Sequence, residues 1–501
     1  RKPGMALRYV YLDLDGPWTI EGMEFEEGLA RRAYDPTYQP RNPVPAKVPC
    51  IVQAALFEAG LVEDPYFEMN AEKLLWVEDK EWWFFKEFTV PEEVAGRKYE
   101  LVFEGITYRA NVWLNGISLG HLEGMFLRHR LDVTRLIVPG QKNVLVLRLR
   151  ALEHSSEDRP GGKVKRGMVR SSGVVAPFTY WWNWAPHIVP IGIWKSVWLR
   201  VTGGASIQDP FVRTKIEWDE CEEATRAEVK IGLEVESSFT GQERVRLLGR
   251  IRGVDFTCPA IEFKRDLILS PGSNQVELET AIERPKLWWP NGLGPHHLYR
   301  LELMILDEER DVLDRTESEF GVRELTMLKN RDDLWVQEVH RHSNRLWSII
   351  GNPYPWTFCI NRQRFFVRGT NWLPTDSLFR FSEERYKLFL DQVEEANLNM
   401  VRVWGGGIQE TETFYRLCDR KGILTWTEFW LACTSYPVMP YDLFIRCAVD
   451  MIKCLRNHPS LVLWCGGNEY NPDEPENKEL VDKLAEVCRE HDPTRPFRRG
   501  S

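Results

Sequence analysis

No run of apolar residues in this 501-residue chain approaches the length needed to cross a bilayer, and no signal peptide precedes Tyr9. Both absences point away from a membrane partner. Basic clusters are scarce as well: the densest is Lys163-Val-Lys-Arg166, within a formal net charge of −9 and a pI near 5.8. Such a balance argues against a nucleic-acid surface. Metal-ligand spacing is missing too. The ten cysteines are scattered from Cys50 to Cys488, and Cys359, Cys447, Cys454 and Cys465 sit among apolar neighbours. They read as buried thiols of a reducing compartment, so a cytoplasmic protein without metal or other cofactor is expected. What the chain does have is size and tryptophan. At 43% hydrophobic residues it can fill two to four domain cores, and its 21 Trp suit both β-domain interiors and the apolar faces of sugars.

From Trp18 to about Val201 short alternating strands separated by turns predict an all-β sandwich, with Asn115-Gly116 as a type I′ hairpin signal. A second all-β stretch runs from about Thr202 to Met327. It alternates clearly over Ala227–Val235, turns at Ser270-Pro-Gly-Ser-Asn274, and has the size of an immunoglobulin-like sandwich. A polar stretch from Lys329 to about Asn344 then marks a linker or inserted loop spanning roughly 328–357. After Phe358 the pattern changes to four βα units. Their strands are expected at Arg364–Arg368, Met400–Trp404, Ile423–Thr427 and Leu461–Trp464, with helices at Ser382–Ala396, Thr411–Lys421, Asp442–Arg456 and Lys478–Glu490. The residues from Phe365 to Ser501 number 137, whereas a complete eight-stranded barrel takes about 250. The expectation is therefore the first half of a (β/α)8 barrel, stopping after the fourth unit and leaving Leu461–Trp464 as an open edge.

The segment Ser460-Leu-Val-Leu-Trp-Cys-Gly-Gly-Asn-Glu-Tyr470 runs a continuous apolar strand into a Gly-Gly turn and presents an amide beside a carboxyl. In a βα barrel, chemistry gathers where strands end. A glycosidic bond needs an acid to protonate the leaving oxygen and polar groups to bond ring hydroxyls. A Glu on an ordinary surface loop is the bland alternative for Glu469. The other strand ends repeat the chemistry: Asn371-Trp-Leu-Pro-Thr-Asp376, Arg402 with Trp404-Gly-Gly-Gly407, and Glu428-Phe-Trp430. Taken singly, Trp372 and Trp404 read first as core side chains and second as sugar platforms. Arg402 reads as a ligand or as a brace for a carboxylate, and Glu428 as a supporting partner.

In this order these motifs resemble glycoside hydrolase family 2, and within it the β-mannosidase branch. The first stretch supplies Leu14-Asp-Gly-Pro-Trp18, Val112-Trp-Leu-Asn-Gly116, Gly120-His-Leu-Glu-Gly-Met-Phe126 and Tyr180-Trp-Trp-Asn-Trp-Ala-Pro186 leading to Gly192-Ile-Trp194. The second supplies Pro285-Lys-Leu-Trp-Trp-Pro-Asn-Gly292 and Phe320-Gly-Val-Arg323. Gly369-Thr-Asn-Trp-Leu-Pro374, Val401-Arg-Val-Trp-Gly-Gly-Gly407 and Asn457-His-Pro-Ser-Leu-Val-Leu-Trp464 followed by Asn468-Glu469 complete the match.

The resemblance implies a jelly-roll, sugar-binding type of first domain over residues 1–201, an immunoglobulin-like domain over 202–327, and half of a catalytic barrel over 358–501. It implies a retaining, exo-acting hydrolase that removes β-linked mannose from the non-reducing ends of oligosaccharides, using two carboxylates about 5 Å apart. Glu469 matches the acid/base and Asn468 the residue that bonds the 2-hydroxyl. The family's nucleophile lies on a later strand that nothing here matches, so the chain itself is expected to be an inactive fragment. Trp372, Asn183, Arg402 and Trp404 are expected to bind substrate, supported by Asn371, Asp376, Glu428 and Trp182. Asn183 stands where the branch usually has Asp, and Gly467 where it usually has a second Asn. An exo-β-glucosaminidase with the same machinery is the near alternative, and a non-catalytic carbohydrate-binding protein the distant one.

Overall fold

The computed structural model of the protein describes residues 9–92, 94, 98–152, 173–180, 182–329, 356–433, 436 and 440–501. Lys163–Arg166 and residues 330–355, which include most of the expected linker, lie outside the described residues.

The first domain is built from antiparallel sheets. One orders Val10–Asp13, Val197–Thr202, Lys98–Phe103 and His129–Asp132; a larger one orders Val44–Val48, Gly16–Met23, Glu81–Thr89, Lys142–Arg150, Arg109–Leu114 and Ile117–Glu123. Asn115 (φ 52°) and Gly116 (φ 81°) close the last hairpin with Leu114 opposite Ile117, the geometry a type I′ turn requires. In the second domain Ala224–Ser237 lies between Ala205–Trp218 and Gly272–Glu283. Ala227, Val229, Ile231, Leu233 and Val235 all point inward, as period-two alternation demands, and meet Leu247, Ile251, Leu301, Leu303 and Ile305 of the facing four-stranded sheet. The turn at Ser270–Asn274 carries the chain from one sheet to the other, with the Asn274 amide donating to the Ser270 carbonyl at 2.8 Å.

The third region is a parallel sheet of five strands in sequence order: Gly369–Trp372, Met400–Val403, Leu424–Glu428, Leu461–Cys465 and Phe497–Arg498. Helices Glu383–Glu395, Glu412–Lys421, Tyr441–Leu455 and Pro475–His491 connect them. Ser382 caps the first helix by accepting from the Arg385 N–H at 3.2 Å, and Gly422 ends the second at φ 65°.

Two boundaries differ from the sequence reading. Arg364–Arg368 is not the first barrel strand. Asn361 and Arg362 both take positive φ (50° and 67°) and fold Gln363–Arg364 back on Trp356–Ile360 as a hairpin, so the parallel sheet begins at Gly369. Nor does the sheet end at the fourth strand. The loop Asp492–Pro496 leads into Phe497–Arg498, which pair with Trp464 and Cys465, so Leu461–Cys465 is an interior strand buried at every residue.

The sandwich domains grip opposite ends of this sheet. At the ends where its strands begin, the second domain's Trp288 indole donates to the Asp419 carbonyl at 2.8 Å, and Asn291 bonds the Gly422 and Leu398 carbonyls. Its Arg323 donates to the carbonyls of Pro459 and Leu461, each at 2.7 Å. The motifs Trp-Trp-Pro-Asn-Gly and Phe-Gly-Val-Arg therefore act as interdomain clamps. At the ends where the strands finish, the first domain contributes Phe126, stacked on Trp430 at 4.1 Å between ring centroids, and Phe178, whose N–H donates to the Gly406 carbonyl at 2.8 Å. No helix among the described residues is long and apolar enough to cross a membrane.

Candidate active site

Strand alternation decides what the barrel interior presents. Val401 and Val403 are buried on one face of the second strand, which turns Arg402 to the other. There its guanidinium forks onto Glu428 of the third strand, Nε to Oε1 at 2.9 Å and Nη2 to Oε2 at 3.0 Å. It also donates to Asn371 Oδ1 of the first strand at 3.1 Å and to Asn468 Oδ1 beyond the fourth at 2.5 Å. One arginine thus ties together the ends of four strands. Glu428, its side chain fully buried, additionally accepts from the Gly405 N–H at 2.8 Å and the Ser501 hydroxyl at 2.7 Å. A carboxylate engaged by this many donors braces its neighbours.

Beyond the fourth strand the backbone needs glycine. Gly467 sits at φ 153°, and a Cβ there would lie 2.4 Å from the Leu431 carbonyl oxygen. Glycine at this position, where the branch usually has Asn, is thus a steric requirement of this chain's own turn. The Asn468 N–H then donates to that same Leu431 carbonyl at 2.8 Å, and the Cys433 N–H to the Asn468 carbonyl at 2.9 Å. Asn468 is buried and Glu469, at φ 45°, is exposed.

Trp464, at the end of the fourth strand, does not wall the Glu469 carboxyl. Trp464 instead turns away, donating its indole N–H to Asp492 at 2.8 Å and stacking on Phe429. What lies against Glu469 Oε2 is the Cys433 thiol, at 3.4 Å.

The first domain reaches the same end of the sheet. Trp182 meets Trp404 edge-on at 4.8 Å and Trp184 approaches it at 5.9 Å, so Asn183, exposed between them, stands beside the end of the second strand.

Two expected site residues are elsewhere. Trp372 follows Asn371 and therefore faces outward. It is buried among Tyr386, Phe389 and Phe414, and its indole donates to Glu410 at 3.1 Å. Glu410 also takes the Tyr386 hydroxyl, and burial pushes its carboxyl up to about 7. Trp372 is thus a core side chain in this structure. Asp376 is likewise spent on architecture: it accepts from the Tyr66 hydroxyl of the first domain at 2.6 Å and from Arg380 at 2.8 Å.

Sequence reasoning missed three members of the cluster: Cys433, Ser501 and Trp426, whose ring lies 5.9 Å under the Arg402 guanidinium. Cys433 is exposed, unlike the buried thiols that the scattered cysteines predict. Its place five residues beyond Glu428, in the loop after a strand end, was the available signal.

Comparison with known proteins agrees with the geometry. Three family descriptions match consecutive parts of the chain: Glycosyl hydrolase 2 galactose-binding domain-like over residues 30–195, Glycosyl hydrolases family 2 over 205–323, and Glycosyl hydrolases family 2, TIM barrel domain over 356–499. A mannosylglycoprotein endo-beta-mannosidase of Lilium longiflorum is 32% identical over 462 residues, covering 88% of this chain and 46% of the lily protein. Beta-mannosidase B of Emericella nidulans is 29% identical, covering 84% of this chain and 48% of its own length. The chain spans about half the length of these curated relatives. Among solved structures, the beta-D-mannosidase of Dictyoglomus thermophilum superposes with a TM-score of 0.81 at 31% identity, covering 98% of this chain and 57% of that one. The exo-chitosanase of Amycolatopsis orientalis shares the fold with a TM-score of 0.80 at 20% identity, covering 98% of this chain and 53% of that one. With all three domains matched in order and the barrel's polar strand ends gathered into one cluster, the chain belongs to glycoside hydrolase family 2.

Proposed function

We propose that this chain carries the acid/base side of a retaining, exo-acting β-mannosidase site. The observation that carries the reading is the Arg402–Glu428 brace, which fixes Asn468 beside Glu469 where the barrel strands finish, next to the Trp182–Trp184 loop of the first domain. In this reading Glu469 protonates the departing glycosidic oxygen and later takes a proton from water, while Asn468 bonds the 2-hydroxyl and Asn183 a hydroxyl at the far side of the sugar. A loop from a neighbouring domain at the mouth favours exo-action, since one end of the cleft must be closed. Mannose is preferred to glucosamine because Asn183 and Asn468 carry no charge and suit hydroxyls better than an ammonium group. The mannosidases of lily, Emericella and Dictyoglomus support the same choice.

The reading also assigns no nucleophile among the described residues. Glu428 is committed to Arg402, Gly405 and Ser501, and a retaining mechanism needs a second carboxylate about 5 Å from the acid/base. The test is a barrel-completed form, in which the later strands of the Dictyoglomus enzyme are joined after Ser501, assayed on 4-nitrophenyl β-glycosides. Its kcat/KM on the mannoside is expected to exceed that on the glucosaminide, glucoside and galactoside by about tenfold or more. A preference for the glucosaminide would overturn the sugar assignment, and hydrolysis of none of them the reaction class.

A further inference from the structure

The hydrogen bonds around Asn468 continue past it. Arg402 Nη2 donates to Asn468 Oδ1 at 2.5 Å, Asn468 Nδ2 donates to Cys433 Sγ at 3.3 Å, and the Cys433 thiol donates to Glu469 Oε2 at 3.4 Å. The chain of contacts therefore runs unbroken from the buried Glu428 through an arginine, an amide and a thiol to the exposed Glu469. Its middle is held by the backbone: Ala432 bridges Asn468 in parallel, and the Cys433 N–H donates to the Asn468 carbonyl at 2.9 Å. Cys433 (φ 55°) and Glu469 (φ 45°) both adopt left-handed backbone, which L residues other than Asn, Asp and Gly seldom take. This geometry turns their side chains toward each other across the two loops.

We propose that Cys433 is a positioning residue of the acid/base pair, its sulfur fixing which way the Asn468 amide points and its S–H holding the Glu469 carboxyl beside it. The proposal rests on the reading of Glu469 as acid/base. An amide has two chemically different ends, and two partners settle its orientation: Arg402, a donor, claims the oxygen, and the sulfur claims one N–H. The second N–H of Asn468 is then free to donate to a sugar hydroxyl. With no acceptor at position 433, the amide would keep only its Arg402 anchor. A thiol is also a weak donor, so it steers the carboxyl of Glu469 without binding its proton tightly, which suits a group that must give up a proton and take it back in one cycle. Cys433 is exposed, so the contact can be read from the outside.

The test uses the purified 501-residue protein and no substrate. Cys433 and Cys221 are both exposed, and Cys221 lies in a turn of the second domain, where it serves as an internal reference. Alkylation by iodoacetamide is followed at each cysteine by peptide mass spectrometry from pH 6 to 10, in the parent and in Glu469→Gln. A carboxylate beside the thiol opposes its ionisation, so Cys433 is expected to alkylate with a later pH midpoint in the parent than in Glu469→Gln. Glu469→Gln is expected to speed Cys433 labelling near pH 7.5 by about fivefold to tenfold, as removal of a like charge at this distance predicts, and to leave Cys221 unchanged. An unchanged Cys433 profile in Glu469→Gln would overturn the proposal, as would an equal acceleration of both cysteines. Asn468→Ala provides the second arm: it is expected to alter the Cys433 rate while the Cys221 rate stays constant, and no change in either would overturn the amide's part. The labelling reads the contact alone, so its failure would leave the reaction class standing, and a different substrate in the glycoside panel would leave the contact standing.

Discussion

Glu469→Ala in the barrel-completed form is expected to slow hydrolysis of alkyl β-mannosides by about a hundredfold to ten-thousandfold, the range that a positioned acid contributes, and to spare glycosylation by 2,4-dinitrophenyl β-mannoside. The reasoning is chemical. An alkoxide is a poor leaving group and departs only as its oxygen is protonated, whereas dinitrophenolate is stable and departs without help. Glu469 stands exposed at the end of the fourth strand, with its backbone N–H bonded to the Ser501 carbonyl at 3.1 Å and its carboxyl against Cys433. Its loss therefore removes a functional group without opening a cavity, and the variant should melt like the parent. Equal loss of rate on both substrates would assign Glu469 to binding or structure instead.

Arg402→Ala is expected to have the largest effect on stability. Removing one member of a buried ion pair leaves an uncompensated charge, which costs about 3–5 kcal/mol. Here Glu428 would keep its carboxyl fully buried with only the Gly405 N–H and the Ser501 hydroxyl for company. The Arg402 side chain is 19% exposed, which places the loss toward the lower end of that range. Arg402→Ala also releases Asn371 and Asn468, so the ends of the first and fourth strands lose their cross-tie. Calorimetry should show the melting of the barrel, and of the first domain that shares its core, falling while the transition of the second domain holds. Arg402→Lys should recover little, because an ammonium cannot fork onto a carboxylate. A loss under about 1 kcal/mol would mean that Arg402 behaves as an ordinary surface pair.

The sequence made the architecture legible where periodicity and punctuation agree. Asn115-Gly116 specified a hairpin and its register, the alternation from Ala227 to Val235 specified a strand and its buried face, and Ser382 and Gly422 bounded two helices. It misled where a local run imitates a strand. Arg364–Arg368 is as apolar as a barrel strand, yet left-handed Asn361 and Arg362 fold Gln363–Arg364 into a hairpin that takes the run's first position. Asn371, Arg402, Glu428 and Asn468 were legible because strand ends in this fold converge, and they do meet. Trp372 was not, because one residue along a strand reverses the face, and its neighbour Asn371 already occupies the inner one. Cys433 escaped notice because a thiol among apolar neighbours reads as core until the loop that carries it is seen lying along the fourth strand's exit.

The most direct test of the central proposal, that the described residues hold Glu469 as the acid/base and place no second carboxylate as nucleophile, is an assay of the purified 501-residue protein on 4-nitrophenyl β-mannoside. The account predicts no turnover above the uncatalysed rate, because without a carboxylate opposite Glu469 no glycosyl-enzyme forms. Robust turnover that Glu428→Gln abolishes would contradict it, and would make the braced carboxylate the nucleophile.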